Sequence, residues 1–162
     1  MHRCKATHRT VPKIINQKDQ SGELMHIDLW GKYSIRSING HQYYLLLVDD
    51  AKRFATIKCI KQKSDAAQGV INYLAHLKTQ GRNPKGIQID CGKEFINEKL
   101  ENWCKEHGME IHYTALYSPS QNDIAKQMNR TLVELSRAMI IANDLPEFLW
   151  EYAVLHAAYL CN

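Results

Sequence analysis

The segment Glu23–Gly31 reads Glu-Leu-Met-His-Ile-Asp-Leu-Trp-Gly. Met25, Ile27 and Leu29 alternate with a second row of side chains, and a glycine ends the run, which is the pattern of a β-strand. Asp28 lies inside this otherwise apolar strand. A carboxylate in such a place destabilises the fold unless a partner pairs with it, so Asp28 is the first candidate functional residue.

Two more strands are predicted directly after this one. The pair Asn39-Gly40 favours a tight turn, and the aromatic and branched residues 42–49 come next. After a short polar turn, residues 54–60 show a further strand pattern. The three strands are expected to form an antiparallel meander.

The hydrophobic period then changes to one of alternating helices and strands. Apolar residues recur at helical spacing after Ser64, which is predicted to cap a helix that ends at Gly81. A second helix is predicted over 97–107. Short strands are predicted over 86–90 and 109–113. Because strands that alternate with helices usually run parallel, these two strands should pair in parallel.

Two helices complete the predicted chain. A long helix carries an apolar stripe, and Pro146 suits the first turn of a last helix. The stripe consists of Ile124, Met128, Leu132, Leu135 and Met139. The element order is βββαβαβαα, which predicts an α/β fold with a five-stranded mixed sheet flanked by helices.

The composition is that of a single folded domain inside the cell. The 162 residues are 44% hydrophobic and 23% charged, close to the globular average, which argues against disorder and coiled coil. The longest run without a polar residue, Tyr43–Val48, is far short of the roughly 18 residues of a membrane span, so no membrane partner is expected. Five cysteines without a C-x-x-C pair argue against a disulfide framework, and the lack of an apolar leader argues against secretion.

Positive charge is concentrated at the N-terminus. Five of the 21 lysines and arginines lie in residues 1–18, which contain no acid, so the rest of the chain has 16 basic against 17 acidic residues. Residues 1–22 are therefore read as a basic arm, and 23–162 as the folded domain. The arm could hold nucleic acid through phosphate contacts or be a solvated leader, and charge alone does not decide between the two.

A second acid stands beside Asp28 in the predicted sheet. Asp90 ends the short strand 86–90, and it would lie next to Asp28 if the first and fourth strands are neighbours. A divalent metal ion is the natural counterion for two adjacent carboxylates. A cap, a turn or a salt bridge would also explain either aspartate taken alone.

Several ordered blocks of the sequence resemble the integrase core of Copia-type retrotransposons, over nearly all of residues 22–162. The blocks are Glu23–Gly31, Tyr43–Asp50, Gln88–Phe95, Tyr117–Asn122, Asn129–Thr131, Leu145–Trp150 and Ala157–Leu160. The resemblance implies an RNase H-like fold and a D, D-x35-E triad that binds two Mg²⁺ or Mn²⁺ ions. It also implies DNA integration in the nucleus, by 3′-end processing and strand transfer.

The third acid of that triad is missing. Asp28 and Asp90 match the first two acids, and the third should fall thirty-six residues after Asp90, where this chain has Lys126. A protonated lysine has no lone pair for a metal and adds charge where cations should bind. We therefore expect weakened binding of Mg²⁺ or Mn²⁺ and impaired catalysis. Our hypothesis is that the Lys126 ammonium neutralises both aspartates directly.

Other acids are poor substitutes for the missing glutamate. Asp123 lies one turn earlier and would have to reach the metal with a shorter side chain. A metal ligand must be placed to within about 0.5 Å, which disfavours this substitution. Glu134 is some 12 Å further along the helix at ~1.5 Å per residue. Glu94 belongs to a recurring block of the family that does not supply the catalytic acid.

A basic row on the long helix predicts nucleic-acid binding. Lys126, Arg130 and Arg137, with Asn129 beside them, are assigned to the face away from the apolar stripe. In the family this region contacts DNA, as does the preceding loop. The predicted contacts are Tyr117, Gln121, Asn122, Lys126, Asn129, Arg130 and Arg137. A merely solvated charged face is the alternative.

The N-terminal arm resembles the end of the family's zinc-binding module and the segment directly after it. Cys4 matches the last zinc ligand, Met1 stands where its cysteine partner would be, and His2 and His8 alone do not complete a zinc site. The alternative to an impaired integrase core is a non-catalytic nucleic-acid-binding or dimerisation module. RNA as a partner, a metal-dependent ribonuclease activity and a homodimer also stay open.

Overall fold

The computed structural model describes residues 23–90, 92, 94–114 and 123–162. Within these ranges the chain forms five strands and four helices, with short 3₁₀ turns before α1 and α4. They are β1 (Leu24–Gly31), β2 (Tyr43–Asp49), β3 (Ala55–Ile60), α1 (Ala66–Thr79), β4 (Gly86–Ile89), α2 (Glu98–Glu106), β5 (Glu110–Tyr113), α3 (Asp123–Ala142) and α4 (Trp150–Cys161). The predicted order βββαβαβαα is confirmed.

The strands form one mixed sheet with β1 at its centre. The strand order is β3-β2-β1-β4-β5; β2 is antiparallel to both β1 and β3, and β4 is parallel to both β1 and β5. In the β1–β4 pair, Met25 lies opposite Ile87 and His26 opposite Gln88. The predicted meander and the parallel pairing of β4 with β5 are therefore confirmed. The first and fourth strands are neighbours, which is the condition for Asp90 to lie beside Asp28.

Alternation along the strands sends side chains to two cores, one on each face of the sheet. Met25, Ile27 and Leu45 pack under α1 and α2. Tyr44 and Leu46 point the other way, into a core that α3 and α4 close. Asp28 has the same parity as His26 and therefore belongs to the α3 face, because successive side chains point to opposite faces.

The helix boundaries reflect local chemistry, with small departures from prediction. A 3₁₀ turn over Lys63–Asp65 precedes α1, so the cap is a reciprocal Gln62–Asp65 box rather than Ser64. Gly81, with φ +74°, lies just beyond the end of α1 as predicted. In the described residues no helix has the length and apolarity that a bilayer span requires.

A buried polar cluster fastens the β1–β2 connection to α4. Ser37 donates its hydroxyl hydrogen bond to Glu151 Oε2 at 2.6 Å, and His41 Nδ1 lies 2.9 Å from the same oxygen. Burial alone would raise the pKa of Glu151, but the hydrogen bonds from His41 and Ser37 outweigh it and lower the pKa. Trp150 stacks on Tyr33 beside this cluster, which fixes the packing of α4 on the sheet.

Candidate active site

Asp28 lies on β1 and is bound by two neutral donors. Its Oδ1 accepts a hydrogen bond from the Leu29 N–H at 3.0 Å, and its Oδ2 accepts one from Asn129 Nδ2 at 2.6 Å. The side chain is half-buried. Continuing the β1–β4 register by two residues places Asp28 beside Asp90, so the sequence-predicted pair is brought together.

The pKa of Asp28 reflects its burial and the charges around it. Burial raises the pKa of Asp28, and the nearby charge of Asp90 raises it further. The hydrogen bonds from Asn129 and Leu29 and the positive charge of Lys126 oppose this rise without cancelling it. A cation beside the pair would stabilise both ionised carboxylates.

Asp90 is held by its own loop. It comes directly after β4, and its Oδ1 accepts a hydrogen bond from the Gly92 N–H at 3.0 Å. An aspartate carboxylate that accepts a hydrogen bond from the N–H two residues later forms an Asx turn, which fixes the carboxylate locally. The role of Asp28 and Asp90 as metal ligands stays a prediction.

Asn129 is a buried part of this site and not an outward DNA contact, so its predicted position was wrong. It is 5% exposed, its Nδ2 donates to Asp28, and its Oδ1 accepts a hydrogen bond from the Tyr44 hydroxyl at 2.6 Å. Tyr44 is fully buried. The three side chains form a continuous chain from the core under α3 to the carboxylate of Asp28.

Lys126 does not form the ion pair that we expected. Its side chain is exposed, and no N–O contact within 4.0 Å joins it to Asp28 or Asp90, all three being residues that the structure describes. Its charge acts on Asp28 only at longer range, by lowering the pKa. Direct neutralisation is therefore corrected to a through-space interaction. The Asp28 carboxylate is bound instead by the neutral donors Leu29 N–H and Asn129 Nδ2.

The remaining candidates fall into three groups. Arg130 and Arg137 are exposed on α3, as predicted for a basic row. Asp123 is the first residue of α3, and Glu94 instead pairs with Lys63 at 3.2 Å. The predicted contacts Tyr117, Gln121 and Asn122, and the arm 1–22, lie outside the described residues.

The donor set fits a divalent cation only in part. Carboxylate oxygens are the ligands that Mg²⁺ and Mn²⁺ prefer, and Asp28 and Asp90 supply two such groups. Within the described ranges, no group of three or more His, Cys, Asp or Glu side chains is placed to hold a metal ion. Binding of Mg²⁺ or Mn²⁺ by the pair stays a prediction.

Comparison with known proteins identifies the chain. Residues 18–119 match the family described as "Integrase core domain". The chain belongs to this family. It is 33% identical over 141 residues to the "Retrovirus-related Pol polyprotein from transposon TNT 1-94" of Nicotiana tabacum, a match that covers 86% of this chain and 11% of the relative. It is 26% identical to the corresponding polyprotein from transposon RE2 of Arabidopsis thaliana, with 86% of this chain and 10% of that relative covered.

These relatives make the chain a retrotransposon integrase core, as the sequence predicted. The integrase core spans only about a tenth of the length of the curated relatives it matches. Among solved structures, it resembles a chain of the simian T-cell lymphotropic virus intasome in complex with the PP2A regulatory subunit B56 gamma. That match has a TM-score of 0.68 at 19% identity, and covers 95% of this chain and 53% of the other. The likeness confirms the RNase H-like fold.

The hydrogen bonding of Asn129 and Tyr44 was not foreseen from sequence. The usable signal was spacing: Asn129 is three residues after Lys126 on the same helix, and residues three apart share a helix face. A residue one turn from the expected third ligand is therefore a candidate neighbour of Asp28.

Proposed function

We propose that this integrase core binds DNA but has lost most or all of its polynucleotidyl transferase activity. The observation that carries the proposal is the exposed cation Lys126 at the start of α3, one turn before the Asn129 that bonds to Asp28. Lysine cannot ligate a metal ion while protonated, and its charge opposes the approach of one.

Asp28 and Asp90 would hold the cation that the family generally uses. A bound Mg²⁺ or Mn²⁺ would supply Lewis acidity at phosphorus and activate the attacking oxygen. In this chain Asn129 and the Leu29 N–H orient Asp28, and the Gly92 N–H orients Asp90. These donors keep the carboxylates in place while the positive charge of Lys126 weakens cation binding.

DNA binding rests on the basic face of α3. Lys126, Arg130 and Arg137 are exposed, and cations placed along a helix neutralise phosphates and release counterions. We include Tyr117, Gln121 and Asn122 in the same interface, with the arm 1–22 as a second basic contact. Nuclear localisation and a homodimer stay predictions.

A comparison of the protein with its Lys126→Glu variant tests the proposal. Oligonucleotide strand transfer with Mn²⁺ should give no product above background for the unmodified protein, while salt-sensitive DNA binding is retained. Lys126→Glu should gain Mn²⁺-dependent thermal stabilisation and some product. Asp28→Asn in the Lys126→Glu background is the matched control and should abolish both gains. Product from the unmodified protein that disappears in Asp28→Asn would refute the loss of activity.

A further inference from the structure

An ion pair outside the predicted site joins the loop after β3 to the loop after β4, which carries Asp90. Glu94 Oε2 lies 3.2 Å from Lys63 Nζ, and the side chain of Glu94 is only 10% exposed. Lys63 lies after β3, and Glu94 lies after β4. Because β3, β1 and β4 run in the same direction in this sheet, both loops begin at the same end of the strands. Asp28 and Asp90 lie toward this end.

Gly92 links this ion pair to Asp90. A Cβ at Gly92 would lie 2.6–2.7 Å from the carboxyl atoms of Glu94, so the carboxylate occupies the space that a side chain would take. The Gly92 N–H donates to Asp90 Oδ1 at 3.0 Å. The Gly92 carbonyl accepts from the N–H groups of Phe95 at 3.0 Å and Ile96 at 3.3 Å. Phe95 is 1% exposed and belongs to the core. Gly92 is thus covered by Glu94 on its α-carbon while its amide orients the candidate metal ligand.

We propose that Lys63 and Glu94 are positioning residues for Asp90. Their ion pair holds the carboxylate of Glu94 against Gly92, and the Gly92 amide then fixes the Asp90 carboxylate in its cation-binding orientation. Glu94 does not act as a ligand, because its carboxylate is paired with Lys63. This inference rests on the proposed function only where it takes Asp90 to be a metal ligand.

Amide hydrogen exchange of the full chain tests the positioning without any metal. Lys63→Met and Glu94→Gln should each speed exchange at Gly92, Phe95 and Ile96 by about threefold to fivefold, the size expected of a partly exposed ion pair. The charge swap Lys63→Glu with Glu94→Lys should restore much of the protection. Lys61→Met, at an exposed lysine two residues away, is the matched control and should change nothing.

Gly92→Ala provides a variant that keeps both charges. The atoms in the way of the added Cβ are the end of a flexible side chain, so the methyl group should push the Glu94 carboxylate from its place and leave the backbone path intact. Exchange at Phe95 and Ile96 should then rise as it does in Lys63→Met. Unchanged exchange in all three variants, at unchanged melting temperature, would overturn the proposal.

Cation affinity distinguishes this proposal from an alternative, in which Glu94 would bind the metal ion if Lys63 did not pair with it. In the Lys126→Glu background, Lys63→Met should weaken Mn²⁺ binding by about threefold to fivefold, like the ion pair it removes, and the charge swap should rescue it. Tighter binding in Lys63→Met would mean that Lys63 holds back a ligand, and would overturn the positioning role. Failure of Lys126→Glu to bind Mn²⁺ would count against the proposed function, while the exchange data would still decide this inference.

Discussion

Replacement of Asn129 by alanine should destabilise the protein strongly, because this side chain bonds to two others at once. It donates to the Asp28 carboxylate and accepts from the Tyr44 hydroxyl, both at 2.6 Å. Loss of a hydrogen bond to a charged group costs about 1.5–3 kcal/mol, and an unsatisfied buried hydroxyl about 1–3 kcal/mol. Since Asp28 is only half-buried and water can replace part of its bond, we expect a total loss of about 2–4 kcal/mol.

The destabilisation should depend on pH in a defined direction. The pKa of Asp28 in the folded state is raised above the ordinary value of 3.8, chiefly by burial. Ionisation of Asp28 therefore destabilises the fold as the pH rises from 3.8 through the raised pKa. The bond from Asn129 favours the ionised form and limits this effect. Asn129→Ala should therefore raise the pKa of Asp28 further and lose more stability at neutral pH than in acid.

Urea unfolding at pH 7 and at about pH 4 measures this difference. Tyr44→Phe is the matched control, since it removes only the bond to Asn129 and leaves the one to Asp28. Its loss should be about 0.5–1.5 kcal/mol and equal at both values, because burial raises the pKa of Tyr44 far above this range. An equal loss at both pH values for Asn129→Ala would refute the assigned role of its bond to Asp28.

Three further predictions concern the buried polar cluster around Glu151 and the basic face of α3. Glu151→Gln should lose about 1–2 kcal/mol at pH 7; the charge contribution is present above pH 4.5 and is lost as pH falls through the lowered folded pKa, which urea unfolding across pH would show. Arg130→Ala and Arg137→Ala should each reduce the slope of log DNA affinity against log salt by about 1, measured by fluorescence anisotropy. Lys126→Ala should change the unfolding free energy by less than about 0.5 kcal/mol in urea.

The order of strands and helices could be predicted because its signals are local. Alternation in Glu23–Gly31 and the change to helical period after residue 60 both depend on neighbouring residues alone. The parallel pairing of β4 and β5 was predicted from the helix that alternates with them along the chain. The placement of Asp28 beside Asp90 also requires β1 and β4 to be neighbours, and local sequence signals do not determine which distant strands pair.

The buried row of α3 lies about one residue from the predicted apolar stripe, and for this reason Asn129 was wrongly assigned to the outer face. The buried row is Ala125, Asn129, Leu132 and Ser136, whereas Leu135 of the predicted stripe is 36% exposed. Two of the four buried side chains are polar. Hydrophobicity cannot identify such a row, because a polar group can be buried once its hydrogen bonds are formed elsewhere in the fold, and Asp28 and Tyr44 are distant in sequence.

The local donors around the two acids explain how a lysine can stand at position 126 in an intact fold. Asp28 is bound by Leu29 and Asn129, and Asp90 by Gly92, so each carboxylate has hydrogen bonds that do not involve residue 126. A lysine there is exposed, and an exposed charge contributes little to the free energy of folding. The fold therefore imposes little constraint on the charge at this position, whereas an acid there would add a third carboxylate for a divalent cation.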